Sequence, residues 1–317
     1  MSDRNAPGAD QGGRASRASG PASVVCLGEI AWDLRAPEGT PLEQGPPLHP
    51  APGGGAVTTA LELTRLGVPT ALCAAVGDDV LGHALRRRIE AAGVDVRFLV
   101  ATPAVRTGLV ILASNEEGAR RFLSYRSPDA EAKALRGLLP RDFEARAVHL
   151  SALLPSPEPL RLFRAAIRRA RRCALSLDLN ARPRFWRSAK DKDRLAALEL
   201  LNAFDWIKAS EGDLEVMRLT PAELLEKMKP TAALIVTSGA HPVRAFGPFG
   251  TIERALETRI DVDPTGAGDA FCAGLVAELH QSVGAQTKRG PIAKDAVTRA
   301  VDRGIEAARA FLGRRER

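Results

Sequence analysis

The chain has 317 residues, is 45% hydrophobic and carries a formal net charge of +7. It is long enough to bury one large core, with or without a small appendage. Its arginines lie in helix-like segments without interleaved aromatic residues, so we interpret them as solvated helix faces and not as a nucleic-acid surface. No apolar run reaches the roughly 20 residues of a membrane helix. The four cysteines lack metal-binding spacing and predict the reducing cytoplasm.

The first half of the chain predicts a tail followed by mixed strands and helices. Residues 1–22 are rich in Gly, Ala, Ser and Arg and predict a disordered tail, which leaves one folded domain over residues 23–317. The predicted elements are strands at 23–28 and 29–35, a Pro-rich loop at 36–52, a helix at 53–67, a strand at 70–76, a helix at 80–92, and extended segments at 107–113 and 120–125.

The second half alternates more regularly. Strands are predicted at 147–150, 174–179, 204–209 and 233–237, with helices at 158–172, 193–201 and 221–229. Strands separated by helices indicate a parallel sheet covered by helices on both faces. Ligands of such sheets bind beyond the carboxyl ends of the strands. The early polar strands fit this layer poorly and predict a small separate sheet.

The segment "DPTGAGDAFCAGL", residues 263–275, predicts an anion site. A strand at 259–262 leads in, and a helical pattern runs to about Leu279. If Gly266–Gly268 form the turn into this helix, their N–H groups can bind an oxyanion. Asp269 then lies in the first helical turn. It is either a helix-start residue favoured by the dipole, or a base that accepts the proton of a hydroxyl attacking a γ-phosphoryl group.

This segment closely resembles the C-terminal signature of the ribokinase-like (PfkB-type) carbohydrate kinases, D-T-x-G-A-G-D-x-F-x-x-G. The resemblance implies an α/β fold, a three-layer α/β/α sandwich with a mostly parallel central sheet and a small β-sheet lid. The lid strands are then expected near residues 29–50 and 96–126. By resemblance Asp269 is the base, Gly266, Ala267 and Gly268 form the anion hole, and Asp263 contributes to a monovalent-cation site.

Further segments resemble the sugar-binding parts of this family. "GEIAWDL" resembles the opening strand, and "GGGAVTTALELTRLG" resembles the Gly-Gly helix start, with Thr58 in place of a sugar-contacting Asn. "LDLNARPRFW" resembles the D-x-N-x-R-P-x-x-W run of the fructokinase and 2-keto-3-deoxygluconate kinase branch. Arg126 resembles a substrate-contacting Arg of the keto-acid kinases, although it can equally be an ordinary strand-end residue. The resulting sugar-site residues are Asp33, Gly53, Gly54, Thr58, Arg126, Asn180 and Arg182.

The nucleotide side of the site shows departures from the family pattern. "IKASEGDL" at residues 207–214 resembles the K-x-N-x-x-E motif but carries Ser210 and Asp213, and Pro242 replaces a glycine in the "VTSGAHP" turn. The implied nucleotide-site residues are Lys208, Ser210, Asp213, Thr237 and Gly239. The implied cofactors are ATP, Mg²⁺ held through Asp213, and K⁺ through Asp263.

The resemblance implies an ATP-dependent kinase that phosphorylates a primary hydroxyl of a small sugar or sugar acid, with fructose or 2-keto-3-deoxygluconate first. Two alternatives stay open: a nucleoside kinase of the same fold, and a catalytically weak regulatory protein that binds sugar or nucleotide, motivated by Thr58, Ser210 and Pro242. The expected partner is a small-molecule substrate, with neither nucleic acid nor membrane. The lid sheet is expected to close over the sugar and to offer a homodimer contact.

Overall fold

The structure, a computed structural model, describes residues 22–37, 39–114, 120–256, 264–284 and 291–314. The strands within these residues are β1 (Val24–Leu27), β2 (Ala31–Arg35), β3 (His49–Gly53), β4 (Thr70–Gly77), β5 (Leu99–Thr102), β6 (Leu109–Ser114), β7 (Arg120–Tyr125), β8 (Ala147–Ser151), β9 (Ala174–Asp178), β10 (Trp206–Ser210), β11 (Ala233–Ser238), β12 (His241–Gly247) and β13 (Gly250–Arg254). The predicted strand at 259–262 and the predicted disordered tail, apart from residue 22, lie outside the described residues.

The helices separate many of these strands along the chain. They are α1 (Gly55–Arg65), α2 (Val80–Ala91), α3 (Pro128–Leu138), α4 (Pro157–Arg169), α5 (Pro183–Ser188), α6 (Asp191–Leu200), α7 (Glu211–Met217), α8 (Pro221–Glu226), α9 (Ala267–Gly284) and α10 (Lys294–Gly313). No helix in the described part of the chain is long and apolar enough to cross a membrane.

A large sheet forms the centre of the molecule. Its strand order is β13-β12-β11-β10-β9-β8-β1-β4-β5. The pairs from β11 to β5 are all parallel, and only β12 and β13 run antiparallel to their neighbours. β1 lies between β8 and β4, so that Val24 faces Ala147 on one side and Thr70 on the other. The carboxyl ends of β1, β8, β9 and β10 therefore meet along one edge of the sheet.

Helices cover both faces of this sheet, as the resemblance implies. One buried cluster contains Leu135 of α3, Phe163 of α4 and Trp186 of α5. The other contains Val57 of α1 and Val297 of α10. Each fully buried Leu, Val or Phe side chain contributes about 1.5–3 kcal/mol relative to its exposed state. The predicted three-layer α/β/α sandwich with a mostly parallel sheet is confirmed.

A second sheet of four strands stands apart, with the order β3-β2-β6-β7. β2 pairs antiparallel with β3 and parallel with β6, and β6 pairs antiparallel with β7. Trp32 of β2 is buried and donates its Nε1–H to the Leu81 carbonyl at 2.9 Å, so it is a packing residue that anchors this sheet. The predicted small separate sheet is confirmed.

The prediction of an uninterrupted loop over residues 36–52 is wrong. The chain there forms a short 3-10 helix, Leu42–Gln44, and then β3, whose sequence is HPAPG. Proline cannot donate to a sheet ladder, so a prolyl-rich run argues against a strand. β3 tolerates Pro50 and Pro52 because it is an edge strand with β2 as its single partner.

Candidate active site

The start of α9 lies at the edge where the parallel strands end. Gly266 has φ of +90°, and a Cβ at this position would lie 2.8 Å from Cζ of Phe311, so both the turn and the close approach require glycine. The Ala267 N–H donates to the Pro264 carbonyl at 2.9 Å. The N–H groups of Gly266 and Gly268 donate to no acceptor among the described residues. Among the three N–H groups predicted to bind an anion, those of Gly266 and Gly268 are therefore the ones without an acceptor in the described part of the chain.

Asp269 lies in the first turn of α9, half-buried and close to other charges. Burial and the nearby Asp178 carboxylate raise the pKa of Asp269 to about 7, although Lys208 and Arg182 oppose this rise. The carboxyl is therefore suited to exchange a proton near neutral pH. This position favours the interpretation of Asp269 as a base over that of a simple helix-start residue.

Lys208 and Asp178 form a buried ion pair beneath this turn. The Lys208 ammonium donates to Oδ1 of Asp178 at 3.1 Å, and both side chains are almost fully buried. Burial opposes the charge on Lys208, but Asp178 keeps the pKa of the ammonium above its usual range. A Cβ on Gly268 would lie 3.1 Å from Nζ of Lys208. A positive charge is consequently fixed next to the free N–H group of Gly268.

Three polar side chains converge over the first residue of α1. A Cβ built on Gly55 would lie 2.3 Å from Oγ of Ser151, 3.0 Å from Oδ1 of Asp269 and 3.1 Å from Nδ2 of Asn180. Asn180, two residues after β9, has φ of +40°, in the left-handed region that Asn adopts more readily than most residues. A hydroxyl, a carboxylate and an amide thus pack closely against the start of α1.

Further predicted sugar-site residues lie where β2 and β3 of the small sheet meet the start of α1. A Cβ on Gly53 would lie 2.0 Å from Oδ1 of Asp33, so the carboxylate rests directly on the backbone. Gly54 has φ of +105° and packs against the Glu29 carbonyl. Thr58 donates to the Gly54 carbonyl at 3.2 Å, which ties its hydroxyl to its own helix. The neighbouring Thr59 links α1 to α9 by donating to the Asp269 carbonyl at 3.2 Å.

Two arginines from the predicted sugar site bind one carboxylate. Nη1 of Arg126 donates to Oε2 of Glu29 at 2.5 Å, and Nη2 of Arg182 binds Oε1 of Glu29. Nη2 of Arg126 binds Glu131, and its side chain is only 7% exposed, whereas that of Arg182 is 43% exposed. Arg182 is thus the arginine that can reach a ligand, while Arg126 is held between two carboxylates.

Ser210 and Asp213, predicted to serve the nucleotide and Mg²⁺, cap α7. Oδ2 of Asp213 accepts from the Ser210 N–H at 2.7 Å, and Oδ1 accepts from the Ala181 N–H at 2.6 Å. Oγ of Ser210 accepts from the Asp213 N–H at 3.0 Å. Each carboxylate oxygen keeps a lone pair. Asp213 can therefore still accept a hydrogen bond from a metal-bound water, which is how Mg²⁺ is commonly held.

The remaining predicted nucleotide residues lie at the next strand end. Thr237 donates to the Ala209 carbonyl at 3.4 Å, and Gly239 has φ of +54° in the turn from β11 to β12. Asp263 lies outside the described residues. Within the described ranges, no group of three His, Cys, Asp or Glu side chains is arranged to hold a metal ion.

Three residues of this site were not assigned from the sequence. Glu29 lies inside "GEIAWDL" and Asp178 inside "LDLNARPRFW", so the resemblance covers both without giving them a role. Ser151 carries no motif, and its buried Oγ has no hydrogen-bond partner in the part of the chain that is described. The signal available in the sequence is position, since Ser151 and Asp178 end neighbouring parallel strands.

Comparison of the whole chain with protein families identifies the family to which it belongs. Residues 21–313 match the pfkB family carbohydrate kinases. The chain belongs to the pfkB family of carbohydrate kinases. It is therefore a sugar kinase, a phosphotransferase, and it is similar to several fructokinases.

Two curated relatives and one crystal structure illustrate this similarity. The chain is 31% identical to the probable fructokinase-6, chloroplastic, of Arabidopsis thaliana, across 81% of this chain and 70% of that protein. It is also 31% identical to the fructokinase of Escherichia coli, across 82% and 85%. A double mutant of the Vibrio cholerae fructokinase, with fructose, ADP and potassium ion bound, superposes with a TM-score of 0.73 at 22% identity, covering 91% of this chain and 92% of that one.

The rate of this kinase is expected to fall as the pH drops through about 7. Asp269 can accept a proton only as a carboxylate, and its pKa is about 7. The measurement is kcat/KM between about pH 5.5 and 9, with circular dichroism at each pH to confirm that the chain stays folded. A rate that remains constant down to about pH 5.5 would contradict the assignment of Asp269 as the base.

Gly55→Ala is expected to reduce kcat/KM by about 10²-fold, because the new methyl group would displace Ser151 and crowd Asp269. Gly137→Ala is the matched control. A Cβ there meets nothing within 4 Å, and the residue lies inside α3, so we expect unchanged kinetics and a stability gain of about 0.5–1 kcal/mol. If both variants retain wild-type kinetics, the close packing of Ser151 and Asp269 against Gly55 has no part in catalysis.

Proposed function

We propose that the protein is an ATP-dependent kinase that transfers the γ-phosphoryl group to a primary hydroxyl of a small sugar, with fructose as the leading candidate. One observation carries this proposal. The Asp269 carboxylate and the Lys208 ammonium meet at the turn whose Gly266 and Gly268 N–H groups have no acceptor among the described residues. A base, hydrogen-bond donors and a fixed cation are the groups that phosphoryl transfer to an alcohol needs.

The proposed reaction is a direct displacement. The sugar hydroxyl gives its proton to Asp269 while its oxygen bonds to the γ-phosphorus, the bond to the β,γ-bridging oxygen breaks, and ADP leaves. The N–H groups of Gly266 and Gly268 meet the charge that develops on the phosphoryl oxygens. Asn180 packs beside Asp269 at the start of α1 and is proposed to contact the sugar next to the reacting hydroxyl.

Mg²⁺ and K⁺ belong to the proposal as cofactors. Asp213 fits a role in holding a water of Mg²⁺, because each of its oxygens has a free lone pair after capping α7. When bound, Mg²⁺ neutralises charge on the nucleotide phosphates. K⁺ is proposed through Asp263 and by analogy with the potassium-bound Vibrio cholerae structure. Equal rates in potassium and in tetramethylammonium chloride would remove K⁺ from the proposal.

Fructose leads because the curated relatives at 31% identity are named fructokinases. 2-Keto-3-deoxygluconate remains the second candidate through the Asp178 to Trp186 run. The residues proposed to bind the sugar are Asp33, Gly53, Gly54, Thr58, Asn180 and Arg182. Arg126 is buried between Glu29 and Glu131 and is proposed to support the site without contacting the sugar. A carboxylate, a hydroxyl and an amide suit the hydroxyl groups of a neutral sugar.

We further propose that the four-stranded sheet is a lid within a single kinase domain. Asp33 lies on β2, so the sheet and the sugar site share a residue. Closure over the sugar would exclude water and limit ATP hydrolysis. β7 is the edge of this sheet and exposes Phe122, Leu123 and Tyr125. This apolar edge suits pairing with a second copy, and light scattering that shows a monomer at micromolar concentration would refute the homodimer.

The cytoplasm is the proposed compartment. The described cysteines, Cys26, Cys73, Cys173 and Cys272, are all free and buried. Secreted proteins more often pair their cysteines in disulfides, so free thiols favour a reducing environment.

The test of the proposed function is an ADP-release assay over fructose, other hexoses, 2-keto-3-deoxygluconate and nucleosides. We expect turnover with fructose to exceed that with every nucleoside. Turnover restricted to nucleosides would establish the nucleoside kinase instead. If no compound is turned over while a sugar still raises the melting temperature, the protein binds sugar without catalysing its phosphorylation, and the proposal fails.

A further inference from the structure

Glu29 joins the small sheet to the large one through a chain of ion pairs. It lies in the short link from β1 to β2, and Arg126 lies directly after β7, so both occupy connections between the two sheets. Glu29 binds Arg126 at 2.5 Å and also binds Arg182, and Arg126 in turn binds Glu131. The side chains of Glu29, Arg126 and Glu131 are at most 12% exposed. The chain of contacts thus runs from the connections between the two sheets to Arg182, a predicted sugar-site residue.

The charge on Glu29 is maintained despite its burial. Burial alone would raise the pKa of this carboxyl, but Arg182 and Arg126 outweigh it and lower the pKa to about 2. Both arginines remain protonated. The positive charges of the two arginines therefore equal the negative charges of Glu29 and Glu131. Glu29 is the carboxylate that contacts both arginines.

Arg182 needs such a partner more than Arg126 does. Its side chain is 43% exposed, and Glu29 is its single ion-pair partner among the described residues. A long, half-exposed arginine has many accessible rotamers, and a carboxylate that binds its planar fork restricts them. A Cβ on Gly54 would lie 2.3 Å from the Glu29 carbonyl oxygen, and a Cβ on the neighbouring Gly55 would lie 3.0 Å from Oδ1 of Asp269. Glu29 and Asp269 therefore flank the same helix start, and the positive charge of Arg182 favours the charged form of Asp269.

The charged groups around Asp269 form two carboxylate–cation pairs. Asp178 of β9 binds Lys208 of β10, and Glu29 binds Arg182. The two cations favour the charged form of Asp269, and the two carboxylates disfavour it. The first pair is buried and packed on both sides, whereas the second is partly open. Arg182 is therefore the one of the two cations that can change its position when its carboxylate partner is replaced.

We infer that Glu29 is a positioning residue, which holds the Arg182 guanidinium beside Asp269 and acts on phosphoryl transfer through that arginine. The inference rests on the proposed function, since it takes Asp269 as the base. It gives a role to a buried carboxylate that contacts both Arg126 and Arg182. Arg126 is the second ion-pair partner of Glu29.

The test is the pH dependence of kcat/KM in Glu29→Gln. The substitution removes a negative charge near Asp269, which favours the carboxylate form, and leaves Arg182 without the carboxylate that holds its guanidinium in place, which lowers kcat. We expect the acid limb to move down by about 1 pH unit and kcat to fall by about tenfold or more. An acid limb and a kcat equal to those of the wild type would overturn the inference.

Glu131→Gln is the matched control. It also removes a carboxylate from Arg126, but Glu131 makes no contact with Arg182. A general effect of breaking this buried chain would appear in both variants. We expect the acid limb of Glu131→Gln to coincide with that of the wild type, and a shift equal to that of Glu29→Gln would count against positioning through Arg182.

Arg182→Gln and the double variant complete the design. Loss of the Arg182 charge should move the acid limb to higher pH, and the double variant should lose no more kcat than Arg182→Gln alone. Additive losses would overturn the inference. If Glu29→Gln does not fold, an unchanged acid limb of the kcat/KM profile in Arg182→Gln would overturn the inference instead.

Asp269→Asn separates failure of the inference from failure of the proposed function. Full turnover in Asp269→Asn would refute both the role of Asp269 as base and the inference. An inactive Asp269→Asn, together with a wild-type acid limb in Glu29→Gln, would refute the inference alone.

Discussion

Asp269→Asn is expected to lower kcat by about 10²–10⁴-fold with sugar affinity largely retained. The substitution keeps the size of the side chain and its place in the first turn of α9, but an amide cannot accept the proton of the attacking hydroxyl. The measurement combines a coupled ADP-release assay with calorimetric titration of the sugar. A variant with wild-type turnover would remove Asp269 from the mechanism.

The stability of the same variant separates a chemical defect from a folding defect. Because the pKa of Asp269 is higher in the folded chain than in the unfolded chain, its ionisation costs stability as the pH rises through about 7. Replacing it by a neutral amide removes this cost, so Asp269→Asn should unfold at higher urea at pH 8, with a gain of about 2–4 kcal/mol. Loss of activity together with a gain in stability cannot come from misfolding.

Asp33→Asn is the kinetic control for this variant. Asp33 lies against Gly53 in the small sheet and is proposed to bind sugar hydroxyls without taking part in proton transfer. We expect its loss to raise KM for the sugar more than it lowers kcat. Equal changes of kcat and KM in the two variants would contradict the separate roles of Asp269 as base and of Asp33 as a sugar-binding residue.

Lys208→Met is expected to destabilise the folded chain by about 3–5 kcal/mol, because it leaves the buried Asp178 carboxylate without its cation. Burial already raises the pKa of Asp178, and loss of Lys208 raises it further. The deficit should therefore be largest above neutral pH and shrink as the pH falls and Asp178 becomes protonated. Urea unfolding at about pH 5 and pH 8 measures both quantities.

Two further variants test whether burial causes this effect. Arg299→Gln breaks an ion pair with Glu278 in which the arginine is 60% exposed, and we expect it to cost less than about 1 kcal/mol. The double variant Lys208→Met with Asp178→Leu should be more stable than Lys208→Met alone, because no buried charge remains. Equal losses for Lys208→Met and Arg299→Gln would show that Asp178 finds another partner.

Much of the large sheet could be predicted because its signals are local. Buried strands such as β8 and β9 are short apolar runs, and the helices between them show a regular period. β3 could not be predicted in this way, since its prolines contradict strand propensity and its edge position is a property of the whole sheet. Propensity describes a residue and its neighbours, whereas an edge strand is defined by what is absent on one side.

The residues of the site likewise differ in whether local sequence or the whole fold brings them together. Asp269 and the glycines before it lie within one short segment, so the motif and the helix start predict them together. The ion pair of Glu29 with Arg182 joins residues 153 positions apart, and the Lys208 pair with Asp178 joins residues 30 apart. Their partners depend on strand order, which a single sequence does not specify. The hydrogen bond from the Ala267 N–H to the Pro264 carbonyl likewise depends on the conformation of the turn, which the motif does not specify.

A crystal structure with fructose and a non-hydrolysable ATP analogue tests the central claim most directly. We predict one primary hydroxyl of the sugar within about 2.6–3.2 Å of the Asp269 carboxylate, on the line to the γ-phosphorus. The γ-phosphate oxygens should lie against the N–H groups of Gly266 and Gly268. A sugar bound with no hydroxyl near Asp269, or a γ-phosphate held away from this turn, would contradict the account.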